Sequence, residues 1–443
     1  MRVESRRYGG TRDILPDFAA ARKEVLRIVT GTFESFGFGP LETPAIEYAT
    51  TLQGKYGPDA ERLIYKFDSE RGPNKELALR YDFTVPLARV VAMNPELQMG
   101  LFRRYQVGPI WRRDRPQKNR YREFVQCDVD IIGVDSVTAD AEIVAVLCTC
   151  LANLGFDGAR ARLNDRKILN GLAEAVGSGD DSTEMMRSLD KLDKIGEDGV
   201  REDLSEKGFS SNQCDTIFAL GGIEGTSDQR LTEAVGILSD SSVGMEGIAE
   251  LRTIMDCLVA MDVPEERVII DFSLARGLEI YTGPVYEVEV PGLSSPSIAG
   301  GGRYDGLIGI FLNRDIPATG ASFGLDRVAN AMEELGILPK PQGECQVLVT
   351  VFDESTRPAS LKAATALRKA GVNAEVYLGS GKLRSQFGYA DRRGIPIATV
   401  IGPDEQAEGV VGVRDLATRQ QEKVAVADMV AQVQSIIAGA APE

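Results

Sequence analysis

The segment from Arg103 to Gly133 constrains the fold of this chain more than any other, because it predicts a long charged hairpin. Two half-apolar runs, Tyr105 to Trp111 and Phe124 to Ile132, flank a polar connector that contains Pro116 and lacks apolar periodicity. This pattern predicts two antiparallel strands joined by a long loop. We therefore expect an antiparallel sheet near the centre of the fold.

Charged side chains share faces of this predicted hairpin. Gln126, Asp128 and Asp130 repeat every second residue, so they project from the same side of a strand. Arg112 and Asp114 have the same spacing before the loop. A guanidinium offers a rigid fork of donors to phosphate or carboxylate, so these arginines suit a multiply charged ligand. A solvated hairpin with surface ion pairs would show the same residues, and the hairpin alone leaves that alternative open.

The composition is typical of a globular protein with two or three domains. The 443 residues are 43% hydrophobic and 26% charged. No apolar run approaches the roughly 20 residues needed to cross a bilayer, so we expect no membrane insertion. Six scattered cysteines without a Cys-x-x-Cys pair favour a reducing, cytoplasmic compartment and no structural metal site.

The net charge and the absence of histidine narrow the possible functions. A formal charge of −16 argues against non-specific adhesion to nucleic acid or anionic membrane, although a local basic face could still bind phosphates. The sequence contains no histidine, so no histidine can act as general base or metal ligand. Any catalysis must therefore depend on other groups.

Two parts of the hairpin resemble a known family. The segment from Arg112 to Phe124, RRDRPQKNRYREF, resembles motif 2 of the class II aminoacyl-tRNA synthetases. The run from Gln126 to Asp130, QCDVD, is similar to the histidyl branch of class IIa. Asp114 stands where the family usually has glutamate, and Asn119 stands where glycine commonly precedes the next arginine.

The other class II motifs are recognisable as well. A predicted helix from Asp17 to Phe36, followed by an extended run that reaches Pro44, resembles motif 1, which forms the dimer interface in that family. The segment from Gly320 to Val328 resembles motif 3, a strand leading into a helix that carries Arg327. The resemblance therefore implies a homodimer.

The most specific match is the segment from Arg276 to Gly283, RGLEIYTG, which resembles the histidine-binding signature of the histidyl branch. Glu279 and Ile280 depart from the common Asp-Tyr pair, whereas Arg276 and Tyr281 are intact.

A glycine run from Ala299 to Asp305, AGGGRYD, precedes motif 3. Taken alone, such a run usually predicts a tight turn. It also lacks the strand-then-helix setting of a dinucleotide-binding fingerprint. Because the run lies just before the segment that resembles motif 3, it supports the family resemblance more strongly than a glycine run alone would.

The resemblance implies a three-part organisation. An α+β catalytic domain built on an antiparallel sheet would comprise residues 1–176 and 243–335. Residues 177–242, where the composition shifts to acidic and small residues, would form a helical insertion. Residues 344–443 alternate strand and helix patterns, which predicts a C-terminal α/β domain with a partly parallel sheet, similar to an anticodon-binding domain.

The function implied by the resemblance is ATP-dependent ligation of histidine to tRNA(His) through a histidyl-adenylate, with ATP and Mg²⁺ as cofactors. Amino-acid activation is attack of a carboxylate on the α-phosphate, and it requires little proton transfer. Positioning and charge neutralisation should supply most of the acceleration. A chain without histidine could therefore catalyse it.

The resemblance also assigns residues to roles, with Arg276 and Arg112 as the catalytic pair. The ATP-binding residues would be Arg112, Asp114, Arg120, Phe124 and Arg327. The histidine-binding residues would be Asp82, Thr84, Gln126, Asp130, Arg276, Tyr281 and Tyr304. The tRNA-binding residues would be Arg115, Gln117, Lys382 and Arg384.

Three alternatives remain at this point. The chain could be a non-catalytic paralogue that binds histidine as a sensor or regulatory subunit. It could instead be a class IIa synthetase for proline, threonine or glycine, although the segment from Arg276 to Gly283 argues against this. The cations near Lys382 could also belong to a solvated helix face.

Overall fold

The structure is a computed structural model that describes residues 4–54, 61–69, 76–178, 182–276, 280–293, 297–339 and 345–439. The chain divides into two compact units, Met1–Pro339 and Lys340–Glu443. Of the signature from Arg276 to Gly283, residues 277–279 lie outside the described part.

Strands of the first unit form two sheets. They are β1 (Gly39–Pro40), β2 (Ile46–Tyr48), β3 (Lys66–Asp68), β4 (Glu76–Leu79), β5 (Phe102–Trp111), β6 (Glu123–Ile132), β7 (Arg160–Asp165), β8 (Val268–Ile270), β9 (Pro284–Glu289), β10 (Ser297–Arg303) and β11 (Ala318–Gly324). The larger sheet has the order β1-β5-β6-β11-β10-β9-β7-β8, and the smaller one has the order β2-β4-β3. The five central pairs from β5 to β7 are all antiparallel. The prediction of a catalytic fold built on an antiparallel sheet is confirmed.

The predicted charged hairpin is present as β5 and β6. Their register runs from Phe102 opposite Ile132 to Trp111 opposite Glu123. The polar connector lies outside the strands because Pro116 and its charged neighbours offer no apolar face to a sheet.

Helices cover the sheet and supply most of the core. They are α1 (Pro16–Ser35), α2 (Ala49–Leu52), α3 (Thr84–Met93), α4 (Thr138–Asn153), α5 (Arg166–Ala175), α6 (Ser182–Leu189), α7 (Leu192–Glu206), α8 (Ser211–Gly221), α9 (Ser227–Leu238), α10 (Ser242–Ala260), α11 (Gly306–Gly309) and α12 (Leu325–Glu334). On α1, Val25, Val29 and Phe33 recur at helical spacing and are completely buried.

A buried ion pair connects the sheet to the helical layer. Arg303 at the end of β10 pairs with Asp140 on α4, and both residues are almost inaccessible to solvent. Thr319 on β11 donates to the same carboxylate at 2.7 Å. These bonds offset the cost of burying two charges inside the catalytic unit.

Helices α6 to α9 occupy the acidic region between Ser182 and Leu238. Their apolar faces join the main core of the first unit, which includes Met185, Leu204, Ile217 and Leu231. The boundaries of a separate insertion at residues 177 and 242 stay a prediction, because these helices belong to the same compact unit as the catalytic sheet.

The second unit is a small α/β fold. Its elements are β12 (Val347–Val349), α13 (Arg357–Lys369), β13 (Ala374–Val376), α14 (Leu383–Arg393), β14 (Ile397–Val400), α15 (Pro403–Glu408), β15 (Val410–Asp415), β16 (Gln421–Ala425) and α16 (Met429–Gly439). The sheet has the order β13-β12-β14-β15-β16, with β12 parallel to both its neighbours and the other pairs antiparallel. The predicted partly parallel sheet is confirmed.

The glycine run differs from the tight turn that glycines usually indicate. Gly300, Gly301 and Gly302 lie in the middle of β10, between β9 and β11. A Cβ on Gly301 would run into the carbonyl oxygen of Gly320 and would lie 2.7 Å from the Cα of Ala321. Glycine is therefore required by close packing between neighbouring strands rather than by a turn.

None of the helices in the described residues is both long enough and apolar enough to cross a membrane.

Candidate active site

A cavity of about 480 Å³ lies against the central strands of the large sheet. Its floor is formed by residues of β6, β11 and β10, and it is closed at its sides by the segments before α3 and around Tyr281. Of the predicted site residues, those that line it are Asp82, Thr84, Arg112, Asp114, Arg120, Phe124, Gln126, Asp130, Arg276, Tyr281, Tyr304 and Arg327. The structure thus brings the predicted ATP-binding and histidine-binding sets together.

Glycine makes room for this cavity on β11. Gly320 lies opposite Asp130 in the strand register, and a Cβ at this position would run into the Asp130 carboxylate. The side chain of Asp130 therefore turns over the backbone of its neighbour, which only a residue without a Cβ permits.

Four arginines converge at one end of the cavity. Burial lowers the pKa of Arg327, and repulsion from Arg112, Arg120 and Arg276 lowers it further. Mutual repulsion of this kind occurs only when guanidinium groups lie close together. This end of the cavity is therefore suited to a polyanion.

Arg112 is fixed by its neighbours. Its guanidinium lies 4.2 Å from the ring centroid of Tyr81 and 5.4 Å from that of Phe124. Its Nε donates to the backbone oxygen of Tyr81 at 3.1 Å. Held in this orientation, Arg112 lines the cavity.

Asp114 holds Arg120 in place, and Asp326 fixes the start of the helix that carries Arg327. Arg120 Nη2 donates to the buried carboxylate of Asp114 at 2.9 Å. Asp326, the residue before Arg327, accepts from the backbone nitrogen of Val125 at 2.8 Å, which ties the start of α12 to β6. The motif 3 arginine is thereby placed beside the motif 2 hairpin.

Arg276 is paired with Glu287, a residue that is only 3% exposed on β9. Burial raises the pKa of Glu287, and Arg276 lowers it. Arg276 also lies within reach of the Ser297 hydroxyl, at 3.5 Å. A substrate anion would compete with Glu287 for this guanidinium.

The opposite end of the cavity is acidic. Asp82, Asp128 and Asp130 all line it, and each is less than a tenth exposed. The fully buried Arg104 on β5 lies 2.7 Å from Asp130, measured from Nη2 to Oδ2. This end is therefore suited to a ligand with cationic or N–H donor groups.

Two phenols complete the acidic end. Tyr304 donates its hydroxyl to Asp130. Burial, followed by the nearby carboxylates of Asp128 and Asp130, raises the pKa of Tyr281. Both phenols thus remain neutral, and the hydroxyl of Tyr281 can donate or accept a hydrogen bond.

Asp82 has two roles in the structure. Its Oδ1 accepts from the backbone nitrogen of Val85 at 3.2 Å, so it caps the start of α3 as an acid in this position often does. It also lines the cavity together with Thr84.

The sequence assigns no role to three residues that lie at or beside this site. The alternation that groups Asp128 with Gln126 and Asp130 on one strand face marks it as a candidate, and the structure places all three in the cavity lining. Arg104 and Glu287 carry no such signal, because the pairing of Arg104 with Asp130 depends on the register of the hairpin and the pairing of Glu287 with Arg276 depends on the tertiary fold.

The residues predicted to bind tRNA lie outside this cavity. Arg115 and Gln117 are exposed on the loop between β5 and β6. Lys382 and Arg384 line a shallow depression at the start of α14 in the second unit, together with Ser385, Gly388 and Arg392.

Comparisons with known proteins agree with this geometry. The family model described as histidyl-tRNA synthetase matches residues 10–328, and the model described as an anticodon binding domain matches residues 346–436. A histidine–tRNA ligase from Cytophaga hutchinsonii is 38% identical over 441 residues, covering 95% of this chain and 97% of that protein. One from Aeropyrum pernix is 40% identical over 434 residues, covering 97% of each.

A solved structure agrees over nearly the whole length. The crystal structure of histidyl-tRNA synthetase from Nostoc sp. PCC 7120 superimposes with a TM-score of 0.85 at 30% identity, covering 98% of this chain and 100% of the other. The predicted resemblance is therefore confirmed. The chain belongs to the histidyl-tRNA synthetase family.

Proposed function

We propose that the cavity activates histidine with ATP and so supplies the first half of the reaction of a histidine–tRNA ligase. Family membership makes the chain such a ligase. The observation that carries the proposal is that Arg112, Arg276 and Arg327 share one cavity with Asp82 and Asp130. A cationic end and an acidic end side by side suit a nucleotide and an amino acid that react with each other.

ATP occupies the arginine end in this proposal. Arg112 holds the α-phosphate, and Phe124, on whose ring Arg112 lies, stacks on the adenine. Arg120 and Arg327 contact the outer phosphates and the purine, and Asp114 fixes Arg120 by the 2.9 Å bond. The mutual repulsion of the arginines supports this arrangement, because a polyphosphate relieves it.

Histidine occupies the acidic end. Asp82, Thr84 and Gln126 accept from its ammonium group. Asp130 and Tyr281 read the two ring nitrogens, of which the neutral imidazole offers one donor and one acceptor. Tyr304 closes the pocket and orients Asp130 through their hydrogen bond. Analogues without the ring nitrogens would leave these buried groups unpaired.

Arg276 connects the two ligands. A carboxylate oxygen of histidine attacks the α-phosphorus, the bond between that phosphorus and the oxygen bridging the α- and β-phosphates breaks, and pyrophosphate leaves with the bonding electrons. Arg276 contacts both the carboxylate and the α-phosphate, which lowers their repulsion as they approach. In the second half, the terminal ribose hydroxyl of tRNA attacks the carbonyl carbon and AMP leaves.

Mg²⁺ would enter with ATP. Within the described residues, no group of three or more Cys, Asp or Glu side chains could hold a metal ion. Mg²⁺ commonly retains waters and binds substrate phosphates, so the phosphates of ATP would be its main ligands. It would add to the neutralisation of charge that the arginines provide.

For tRNA(His), the exposed loop with Arg115 and Gln117 would contact the acceptor end. Lys382 and Arg384 would contact the anticodon region. The exposure of all four side chains and the basic depression around Lys382 support these contacts.

We also propose that the chain works as a cytoplasmic homodimer. Large apolar side chains between the end of α3 and the start of β5 are exposed in the single chain: Met93 is 69% exposed, Met99 79% and Leu101 56%. All six cysteines are free, as a reducing compartment favours. Light scattering after size exclusion should give a dimer, which Met99→Asp weakens and the second-unit control Leu378→Asp does not. A monomeric wild type would contradict the dimer.

Exchange of labelled pyrophosphate into ATP tests the activation step. With each of the twenty amino acids offered singly, exchange should depend on histidine and be near background with proline, threonine or glycine. A histidine sensor without catalytic activity would bind histidine but show no exchange with any amino acid, and that result would overturn the proposal.

A further inference from the structure

Asp128 is a buried carboxylate that the proposed roles leave unused. It is 4% exposed on β6, yet it is part of the cavity lining. Among the described residues, its Oδ1 is buried without a hydrogen-bond partner. A buried, unpaired carboxylate oxygen is costly, and a site that keeps one requires a donor from elsewhere.

A second unpaired acceptor lies beside it. Gln126 precedes Asp128 on the same face of β6, and in the described structure its Oε1 is also buried without a partner. Two adjacent acceptors of this kind suit a single group that carries several N–H donors. An ammonium has three such donors and a positive charge.

The neighbouring acid has its partners already. Asp130 pairs with the buried Arg104 and accepts from the hydroxyl of Tyr304. Among the described residues on this face, Asp128 is therefore the carboxylate that has an oxygen with neither a hydrogen bond nor an ion pair. Its charge, added to those of Asp82 and Asp130, exceeds the single charge of Arg104.

We infer that Asp128 binds the ammonium group of the incoming amino acid, together with Gln126 and Asp82, and so acts as a further substrate-binding residue. This inference rests on the proposed function, because it takes the acidic end of the cavity as the amino-acid site. Burial raises the pKa of Asp128 to about 7; Arg104 and the hydroxyl of Ser322, which lies opposite on β11, offset part of this rise, and Asp130 and Asp82 add to it. A bound ammonium favours the ionised carboxylate, because Arg104 alone does not balance the three acids Asp82, Asp128 and Asp130.

Binding of three ligands can be compared to distinguish a contact with the ammonium group from contacts with the carboxylate or the ring. Histidine carries both the ammonium and the carboxylate. Histidinol keeps the ammonium but lacks the carboxylate, and imidazole-4-propionate keeps the ring and the carboxylate but lacks the ammonium. Dissociation constants of all three, measured by titration calorimetry on the full chain, report which group Asp128 contacts.

Asp128→Asn should weaken histidine and histidinol by a similar factor of about tenfold or more, as loss of a charge-assisted hydrogen bond predicts. The binding of imidazole-4-propionate should remain unchanged. Asp128→Ala, which removes the acceptor as well as the charge, should weaken the first two ligands at least as much. Thermal unfolding confirms that each variant is folded before titration.

Asp165→Asn is the matched control. Asp165 is an equally buried aspartate whose Oδ1 caps α5 by accepting from Lys167 at 2.8 Å, and it is not part of the cavity lining. It should leave all three dissociation constants unchanged.

Two results would overturn the inference. One is unchanged histidine binding in Asp128→Asn, and the other is an equal loss for imidazole-4-propionate, which would mean that Asp128 only shapes the pocket. If the wild type shows no histidine-dependent pyrophosphate exchange, the proposed function fails instead. If the wild type shows normal exchange but either of the two results is obtained, the role of Asp128 is contradicted and the proposed function is not.

Discussion

In the proposed site, Asp130 links the recognition of histidine to the interior of the protein. Its carboxylate is held between Arg104 and Tyr304, so its orientation is fixed before a ligand arrives. Burial raises its pKa, and Arg104 offsets part of that rise. A carboxylate in a fixed position is well suited to accept from an imidazole N–H.

Replacing Asp130 should therefore affect the KM for histidine and the KM for ATP to different extents. We expect Asp130→Asn to raise the KM for histidine about tenfold or more in pyrophosphate exchange, because a charge-assisted hydrogen bond is lost. The KM for ATP should change little, since ATP binds at the arginine end. Equal increases in both constants would remove the recognition role of Asp130.

Asp128 should make stability depend on pH. Its pKa is about 7 in the folded chain, above the value of about 3.9 for an unfolded aspartate. The folded state therefore holds the proton more tightly, and this contribution to stability is complete below about pH 4 and is lost as the pH rises through 7.

Asparagine does not titrate, so Asp128→Asn should gain stability relative to the wild type between pH 5 and pH 8, on the order of 2 kcal/mol. The difference in Tm between variant and wild type, measured without ligand at both pH values, should become more positive at pH 8. A difference that does not change with pH would contradict the assigned burial.

The residue types at the site were largely predictable, whereas the partners of these residues were not. The departure at Asn119 is explained by its backbone, because it adopts a φ of +62°, the left-handed region that glycine favours and asparagine tolerates. Local sequence could predict that conformation. It could not predict the strand register that places Arg104 opposite Asp130, or the tertiary fold that pairs Glu287 with Arg276.

At the level of elements, the glycine strand β10 determines how closely the central strands pack. Gly301 lies against the backbone of β11 on one side and the ring of Tyr286 on the other. Since Tyr286 is buried in the core, neither neighbour can move without disturbing the cavity floor.

Gly301→Ala should therefore destabilise the first unit, by about 1–3 kcal/mol or more, through overpacking. Gly292→Ala is not a suitable control because Gly292 has a positive φ, but Gly236→Ala is, because a Cβ there meets nothing within 4 Å. Thermal unfolding should show a lower Tm for Gly301→Ala only. Equal midpoints for both variants would show that β10 tolerates a side chain.

Elements with a strong periodic pattern were predicted well, and short elements were not. The helix α1 and the hairpin strands β5 and β6 agree with their patterns to within a few residues. The helix Pro403–Glu408 and the strand Gln421–Ala425 were missed, because few of their residues are buried and their sequences therefore lack an apolar period. The secondary structure of such elements depends more on packing against neighbouring elements than on their own amino-acid composition.

At the level of the whole molecule, an acidic chain with a net charge of −16 concentrates arginines in one cavity. The excess of acids elsewhere disfavours non-specific binding of nucleic acid. Binding of tRNA should therefore depend on the local basic residues that are proposed to contact it.

The absence of histidine from all 443 residues has a consequence for synthesis of the chain. A histidine–tRNA ligase without histidine can be translated when its own product is scarce. In a histidine auxotroph, pulse labelling after histidine withdrawal should show continued synthesis of the wild type. Lys369→His, a change at an exposed position, adds one histidine codon and should reduce synthesis. An equal fall in the synthesis of both chains would contradict this hypothesis.

The most direct test of the central claim is the rate of histidyl-adenylate formation in a single turnover, at saturating histidine and ATP, by wild type and Arg276→Ala. Arg276 is expected to act on the approach of carboxylate to phosphate, so its loss should lower the rate roughly a hundredfold or more. Arg115→Ala, which alters an exposed loop arginine outside the cavity, should retain the wild-type rate. A near-normal rate for Arg276→Ala would contradict the account.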